Sequence, residues 1–350
     1  MKILVTGNMG YVGPAVIKYL KDTLPDARIV GFDNAYYGSS ITTRGILPEV
    51  RLNAQFYGDI RKFPEKLLEN VDSVIHLAAI SNDPIGNLYE DVTRDINYRS
   101  TIKLAAQAKE AGVKSFIFSS SCSMYGAATQ SARVEDSPLN PLTAYAKSKV
   151  NSEERLAELA SDSFIVTSLR FSTACGMSER LRLDLVLNDF VACAIASKKI
   201  TILSDGTPWR PLINVRDMAR AIDWAIGRGS SNGGAFLAVN VGSDEWNYQV
   251  RDLAEAVAKI IPGLEISINQ DAPEDKRSYR VNFNLYKKLA PHHQPQVDLK
   301  TSIEELRDGL TDMGFQDPEF RRSRFMRLVH LSELKKMNYL NDQLEWTLNR

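Results

Sequence analysis

Short unbroken apolar runs alternate with stretches of helical spacing through the first half of the chain. Ile3-Leu4-Val5 is one such run, and Pro14 through Leu20 follows it with apolar residues on a helical repeat. Arg28–Asp33, Val71–Ala79 and Lys114–Ser119 read as further strands, and Ile96–Ala111 reads as an amphipathic helix ended by Gly112. Strands alternating with helices in this order predict an α/β fold built on a doubly wound parallel sheet. In the second half, helical spacing covers Leu183–Ala196, Asp217–Gly227 and Arg251–Ile261, the last stopped by Pro262-Gly263. Lys199–Leu203 reads as a short strand, and Leu237–Gly242 as a strand that rejoins the first sheet, so two lobes interleave along the chain. The Gly/Ser-rich run Gly227–Gly234 is a surface loop, since no strand feeds into it. Leu331, Leu334, Met337, Leu340, Leu344 and Leu348 give residues 328–348 a helical repeat. The expected division is a sheet-forming domain over 1–175, completed by returning elements near 210–245, an interleaved smaller α/β lobe over 176–315, and a helical C-terminal arm over 316–350.

Composition narrows the function classes. The chain has 350 residues with 44% hydrophobic content, enough for a large core. Lys plus Arg and Asp plus Glu both number 43, so no net basic field exists to hold nucleic acid or an anionic membrane. The apolar run before Thr6-Gly7 is too short for a secretory signal or a spanning helix, and a cytoplasmic location is expected. Cys122, Cys175 and Cys193 show no CxxC spacing, and His76, His292, His293 and His330 show no metal spacing. No metal is expected.

The first chemical signal is Thr6-Gly7-Asn8-Met9-Gly10-Tyr11-Val12-Gly13, a glycine turn between the first strand and the first helix. Gly7 permits the tight turn, Gly10 lets backbone N–H groups approach phosphates, and Gly13 lets the helix pack closely. Pro14 suits an early helical position, and the helix N-terminus supplies an anion site. Asp33 ends the second strand twenty residues beyond Gly13. Its carboxylate can accept both ribose hydroxyls of NAD and would repel the 2′-phosphate of NADP, so NAD is the expected cofactor. Asp59 is placed either to accept from the adenine amino group or to cap its own loop.

The second signal is Tyr145 followed by Lys149, which share a helix face and can point into one site. Alone, the pair also fits an exposed amphipathic helix. An ammonium beside the phenol would bring its pKa from about 10 toward neutrality and make an acid/base device. Ser119-Ser120-Ser121 ends the preceding strand, where open α/β sheets bind ligands, and Tyr125-Gly126 follows.

With TGxxGxxG at Thr6–Gly13, Asp33, Leu77-Ala78-Ala79, the serine strand end and Tyr145xxxLys149, the chain resembles the extended short-chain dehydrogenase/reductases, and within them the nucleotide-sugar epimerases and dehydratases. The likeness runs to about residue 310, supported by Leu169-Arg170, Arg180-Leu181-Arg182 and Asp205 through Asp217. It implies a Rossmann-type sheet, a homodimer and a nucleotide-diphosphate sugar as substrate. It implies that Tyr145 is the acid/base, that Lys149 lowers its pKa and binds the nicotinamide ribose, and that Ser121 bonds the reacting sugar oxygen. The implied cofactor contour comprises Gly7, Asn8, Met9, Gly10, Tyr11, Val12, Gly13, Asp33, Asn34, Asp59, Ile60, Leu77, Ala78, Ala79, Asn97, Ser119, Tyr145 and Lys149. The implied substrate contacts are Ser81, Ser121, Ser123, Asn188, Arg210 and Arg277, with 79–87 and 177–184 lining the sugar site. Either arginine could instead form a surface or interdomain ion pair. Asn214 replaces the family's histidine, with consequences expected for packing more than for chemistry.

The family's dehydratases and decarboxylases carry a glutamate, often beside an aspartate, just after the catalytic Ser/Thr; here Cys122 and Ser123 stand there, which disfavours dehydration. Cys122 is expected to be a packing residue. A net reductase would usually draw on NADPH, which Asp33 opposes. The leading expectation is an epimerase acting at sugar C4 with recycled NAD. A 4-keto-sugar reductase or a 4-dehydrogenase is the alternative, followed by a 4,6-dehydratase or an NAD-loaded protein without activity. The basic run Arg321-Arg322-Ser323-Arg324 could bind an anion, or the arm could pack on the substrate lobe or on a second subunit.

Overall fold

The computed structural model describes residues 1–42, 45–127, 131–269 and 278–347. Arg44, expected on the surface, Asp275-Lys276-Arg277 and Leu348 lie outside the described residues. Among the described residues there are twelve strands: β1 (Lys2–Thr6), β2 (Arg28–Asp33), β3 (Ala54–Tyr57), β4 (Ser73–His76), β5 (Ser115–Ser121), β6 (Ile165–Phe171), β7 (Thr173–Cys175), β8 (Lys199–Ile202), β9 (Trp209–Asn214), β10 (Phe236–Val241), β11 (Asn247–Gln249) and β12 (Glu265–Ile268). Helices α1 (Gly13–Thr23), α2 (Asp83–Leu88), α3 (Glu90–Arg94), α4 (Ser100–Glu110), α5 (Ala144–Leu159) and α6 (Val186–Ser197) precede α7 (Val215–Ile226), α8 (Val250–Ile260), α9 (Asn284–Leu289), α10 (Leu299–Asp312) and α11 (Arg327–Lys336).

Seven strands form one sheet in the order β10-β6-β5-β4-β1-β2-β3. All its pairings are parallel. Alternate residues of one strand feed opposite cores, as strand geometry requires. Leu4, Val74 and Phe116 face the core that holds α4 and α5, whereas Ile3, Val5, Ile75 and Ile117 face the core that holds α1 and α7. The expected return of the chain is present, because β10 pairs with β6. A third core gathers around α6, α8 and α10, beside the small sheets β11-β9-β7 and β12-β8.

Two elements depart from the sequence reading. The helix expected from Ile96 begins as a π turn at Asp95–Arg99 and becomes α-helical only at Ser100. Ser100 Oγ donates to Asp95 O at 2.8 Å, and Thr101 Oγ1 and Ser152 Oγ both donate to Asn97 O, so hydroxyls compete for the carbonyls of this turn.

Among the described residues the C-terminal arm is α-helical only over α11, after a 3-10 turn at Phe320–Arg322, and Leu340 and Trp346 form an isolated antiparallel bridge further on. Phe320 and Phe325 sit in the third core, while Leu331, Leu340 and Leu344 are buried against the sheet. Burial of each such leucine contributes roughly 1.5–3 kcal/mol. The arm therefore crosses from the smaller lobe to the sheet-forming lobe, where the sequence reading had expected packing on the substrate lobe or a second subunit. The arm leaves a straight course because its phenylalanines and its leucines are buried in two different cores.

Gly13 is the glycine with the least room, since a Cβ there would fall 1.9 Å from Asn8 O. The close approach is to the turn itself, where the sequence reading had invoked packing of the helix near the sheet. Gly13→Ala is expected to destabilise the fold by roughly 1–3 kcal/mol, read as a lower urea midpoint. Gly229→Ala, whose Cβ meets only Ser231 Oγ at 3.9 Å, should leave the midpoint unchanged.

Candidate active site

A cavity of about 930 Å³ opens at the C-terminal ends of the central strands. It lies where β1 has β4 on one side and β2 on the other, so that the chain leaves the sheet in opposite directions. Gly7, at φ +75°, donates to Phe32 O at 2.9 Å, and a Cβ on it would fall 2.4 Å from Ala78 N. The glycine turn thus lies directly against the exit of β4. Gly10, Tyr11 and Val12 line the cavity, and α1 starts immediately behind them with Pro14 in its first turn.

Asp33 reaches the same wall. Its Oδ2 accepts from Met9 N at 2.9 Å and its Oδ1 from Ala35 N at 2.7 Å. Each oxygen keeps lone-pair capacity for a further donor. Burial raises the Asp33 pKa, opposed by the two N–H groups and by the charge of Arg180. A glycine cradle at a helix start and a carboxylate with spare acceptor capacity fit the diphosphate and ribose of a dinucleotide.

Asn34, Ile60, Leu77, Ala78, Ala79 and Ser119 also line the cavity. Five expected cofactor residues, Asn8, Met9, Gly13, Asp59 and Asn97, do not. Asn8 is buried and donates to Gln55 Oε1 at 2.7 Å, and the Met9 N–H is spent on Asp33. Asp59 accepts from Arg61 N at 2.8 Å and pairs with the Arg61 guanidinium at 2.5 Å, which is the loop-capping alternative. Asn97 clamps the β4 exit, accepting from Ile80 N at 2.8 Å and donating to Ile80 O at 2.9 Å. Asn97 lies within the π turn.

Ser121, Tyr145 and Lys149 meet at the cavity wall. Thr143 caps α5 by accepting from Ala146 N at 3.2 Å and donates to Asp83 Oδ1 at 2.8 Å, which fixes the turn that carries Tyr145. Lys149 Nζ donates to Ser119 O at 2.6 Å and lies 4.4 Å over the Phe118 ring and 5.5 Å from the Tyr145 ring centre. Burial pushes its pKa down to about 7. Tyr145 is pushed up to about 12, mainly by burial, with a Ser121 hydrogen bond and the charge of Arg182 pulling the other way. Lys149 is not among the main groups acting on the phenol, its Nζ being turned to Ser119 O. Ser121 also donates to Ser123 Oγ at 3.0 Å. His76 is structural: it is buried between Thr6 Oγ1 at 2.7 Å and Thr101 Oγ1 at 2.8 Å, its pKa pushed down to about 3.

On the far side, Ser81, Ser123, Arg210 and Tyr279 line the cavity. Arg277 lies outside the described residues. Asn188 is fully buried and does not reach the cavity: its Nδ2 donates to Tyr11 Oη at 2.9 Å and Arg182 O at 2.9 Å, and its Oδ1 accepts from Gly176 N at 3.0 Å. It ties the glycine turn to the smaller lobe. Asn214 caps α7 and donates to Ser302 Oγ at 2.9 Å, a packing role. Cys122 is fully buried, with Sγ donating to Arg170 O at 3.0 Å and its pKa raised by burial.

Sequence reasoning placed Arg182 and Asp184 only within the 177–184 stretch expected to line the sugar site, with no individual role. Arg182 Nε donates to Asp184 Oδ1 at 2.6 Å and Nη1 to Ser81 Oγ at 3.0 Å, and Asp184 also accepts from Asn82 Nδ2. Both line the cavity, as do Asp83 and Tyr37. The pairing of Arg182 and Asp184 with each other and with Ser81 and Asn82 was not legible, since these side chains come together from separate loops. Among the described residues no cluster of His, Cys, Asp or Glu could hold a metal ion, and no helix is long and apolar enough to cross a membrane.

A doubly wound parallel sheet with a glycine turn, a strand-end acid and a Ser-Tyr-Lys site defines an enzyme of the extended short-chain dehydrogenase/reductase type. The NAD dependent epimerase/dehydratase family matches residues 3–242, and the chain belongs to that family, with NAD as the cofactor. It is 28% identical over 324 residues to an uncharacterized UDP-glucose epimerase, YtcB, of Bacillus subtilis, covering 89% of this chain and 96% of that protein. It is 30% identical over 237 residues to a UDP-glucose 4-epimerase of Lactobacillus helveticus, covering 64% of this chain and 69% of that one. Proteins named as dTDP-D-glucose 4,6-dehydratase and UDP-glucuronic acid decarboxylase are similar as well. The fold resembles the UDP-glucuronic acid 4-epimerase of Bacillus cereus, with TM-score 0.76 and 24% identity over 89% of this chain and all of that one.

Lys149 sets a pH dependence. Its pKa is 10.5 as the ordinary value and about 7 in the fold. Between these values the unfolded chain binds a proton that the folded chain does not, so this contribution to stability rises with pH and is lost as pH falls through about 7. Lys149→Met is expected to flatten the rise of the urea midpoint between about pH 7 and pH 10. A wild-type slope that persists in the variant would count against the buried, uncharged lysine.

Proposed function

We propose that the protein is a nucleotide-sugar epimerase acting at the sugar C4 position with tightly held NAD. The observation that carries the reading is the strand end at Ser121. Ser121 and Tyr145 share a hydrogen bond at the cavity wall, while Cys122, the next residue, is sealed in the core with a thiol that burial keeps protonated. Position 123 holds a second hydroxyl. The site therefore has a proton acceptor beside a hydroxyl, without the carboxylates that its dehydrating relatives carry after the serine.

As the phenolate, Tyr145 Oη takes the proton of the sugar hydroxyl and later returns it. Ser121 Oγ holds the reacting oxygen in line with it. Arg182 lowers the cost of ionising the buried phenol. Bound NAD supplies a hydride acceptor that afterwards serves as the donor. Arg210 is suited to hold the diphosphate from the smaller lobe, leaving the sugar free to present its other face. Arg277 is assigned the same role from the resemblance. The homodimer expected from the family is part of the same proposal, to be tested by sedimentation.

The test follows reduced-nicotinamide absorbance of the protein as purified while UDP-glucose and related nucleotide sugars are added without external cofactor. The expected result is a small, substoichiometric signal accompanying conversion of one sugar to its C4 stereoisomer. Conversion that requires added NAD in proportion to product would instead make the protein a dehydrogenase. Tyr145→Phe should lower kcat by roughly 10²–10⁴-fold with NAD content unchanged; undiminished turnover would remove Tyr145 from the mechanism.

A further inference from the structure

The C-terminal arm carries a buried cation that the reading above does not use. Arg327, the first residue of α11, is 3% exposed, and its guanidinium lies 3.9 Å from the Tyr37 ring centre. Its Nη1 and Nη2 are both buried and have no hydrogen-bond partner among the described residues. Tyr37, Tyr11, Arg182 and Asp184 are the groups that act on it electrostatically, and all four line the cavity. Asp184, the only carboxylate among them, is already taken by Arg182 Nε at 2.6 Å. Two guanidinium groups thus share one carboxylate behind the cavity wall. A buried charge without a partner costs several kcal/mol. An arrangement of this kind fits a site completed by an anion.

Position selects the anion. Tyr11 belongs to the glycine turn at the start of α1, and Tyr37 to the loop that follows Asp33. Both lie on the dinucleotide side, whereas Arg210 and Tyr279 come from the other lobe. The arm grips that same loop. His330 Nε2 lies 2.8 Å from Tyr36 O, Trp346 Nε1 donates to Asn34 O at 2.7 Å, Ser40 Oγ donates to Arg324 O at 3.0 Å, and Tyr36 Oη donates to Leu344 O.

We propose that Arg327, with Arg182, supplies the positive charge that holds the pyrophosphate of the bound dinucleotide, so that the C-terminal arm is a strap which retains the cofactor. This rests on the cavity being the NAD site and not on which reaction occurs there. In a low-dielectric wall the charge acts over several ångströms, and direct contact is not required.

The test is calorimetric titration of NAD, and separately of UDP, into nucleotide-stripped protein, with thermal melts in the presence and absence of NAD. Arg327→Met is expected to weaken NAD by about tenfold or more, leave UDP affinity unchanged, and leave the melting temperature without nucleotide equal or higher, since an unpaired buried charge has been removed. The NAD-induced rise in melting temperature should shrink. Arg327→Gln should show the same loss, and serves if the methionine variant does not fold. Unchanged NAD affinity, or a lower melting temperature without nucleotide alongside an unchanged NAD-induced rise, would make Arg327 a packing residue and overturn the proposal. Loss of UDP affinity in place of NAD affinity would overturn it by assigning the charge to the substrate diphosphate. Failure of wild-type protein to bind NAD would overturn the reading of the cavity itself.

Discussion

The site depends on the contact between the glycine turn and the exit of β4. Gly7 brings the turn to within van der Waals contact of Leu77 and Ala78, at a spacing that no side chain could share. That approach fixes the rim of the crevice at the point where the sheet changes direction. On one side, Asp33 is locked by Met9 N, so the acid at the end of β2 and the turn move as one unit. On the other, Asn97 pins Ile80, so the loop carrying Ser81 and Asp83 leaves the sheet along a fixed path.

Desolvation dominates the chemistry of this crevice. It holds Tyr145 protonated and removes charge from Lys149, moving the two pKa values in opposite directions. A neutral phenol beside a weakened ammonium is a poised pair: any group that adds or removes charge nearby shifts both members. The same low dielectric makes the cations of the far wall count. Arg182 acts on Tyr145, Tyr11 and Tyr37 at once, while itself paired with Asp184.

The lobes are joined by polar ties and by the arm. Tyr11 Oη donates to Gly176 O at 2.5 Å and accepts from Asn188, so the glycine turn is anchored to the smaller lobe at the cavity edge. The arm spans the same gap with Phe320 and Phe325 in one core and Leu331, Leu340 and Leu344 in another. The loop after Asp33 is therefore tied to both lobes through the arm.

The sheet, the glycine turn, Asp33 and the Ser121, Tyr145 and Lys149 constellation were legible in the chain itself, because each rests on short-range rules: strand and helix periodicity, glycine at a tight turn, and residues one helical turn apart. The return of β10 to the sheet was legible for the same reason. Asn188, Asp59 and Asn97 could not be placed that way, since an amide or carboxylate reads alike whether it faces a ligand or closes a loop. Which it does is decided by partners distant in sequence: Tyr11 for Asn188 and Ile80 for Asn97, with Arg61 nearby for Asp59. The course of the arm and the isolation of Arg327 likewise exist only in three dimensions. A leucine repeat specifies an apolar surface, but the core that covers it, and the charge left unpaired beside it, follow from how the lobes pack.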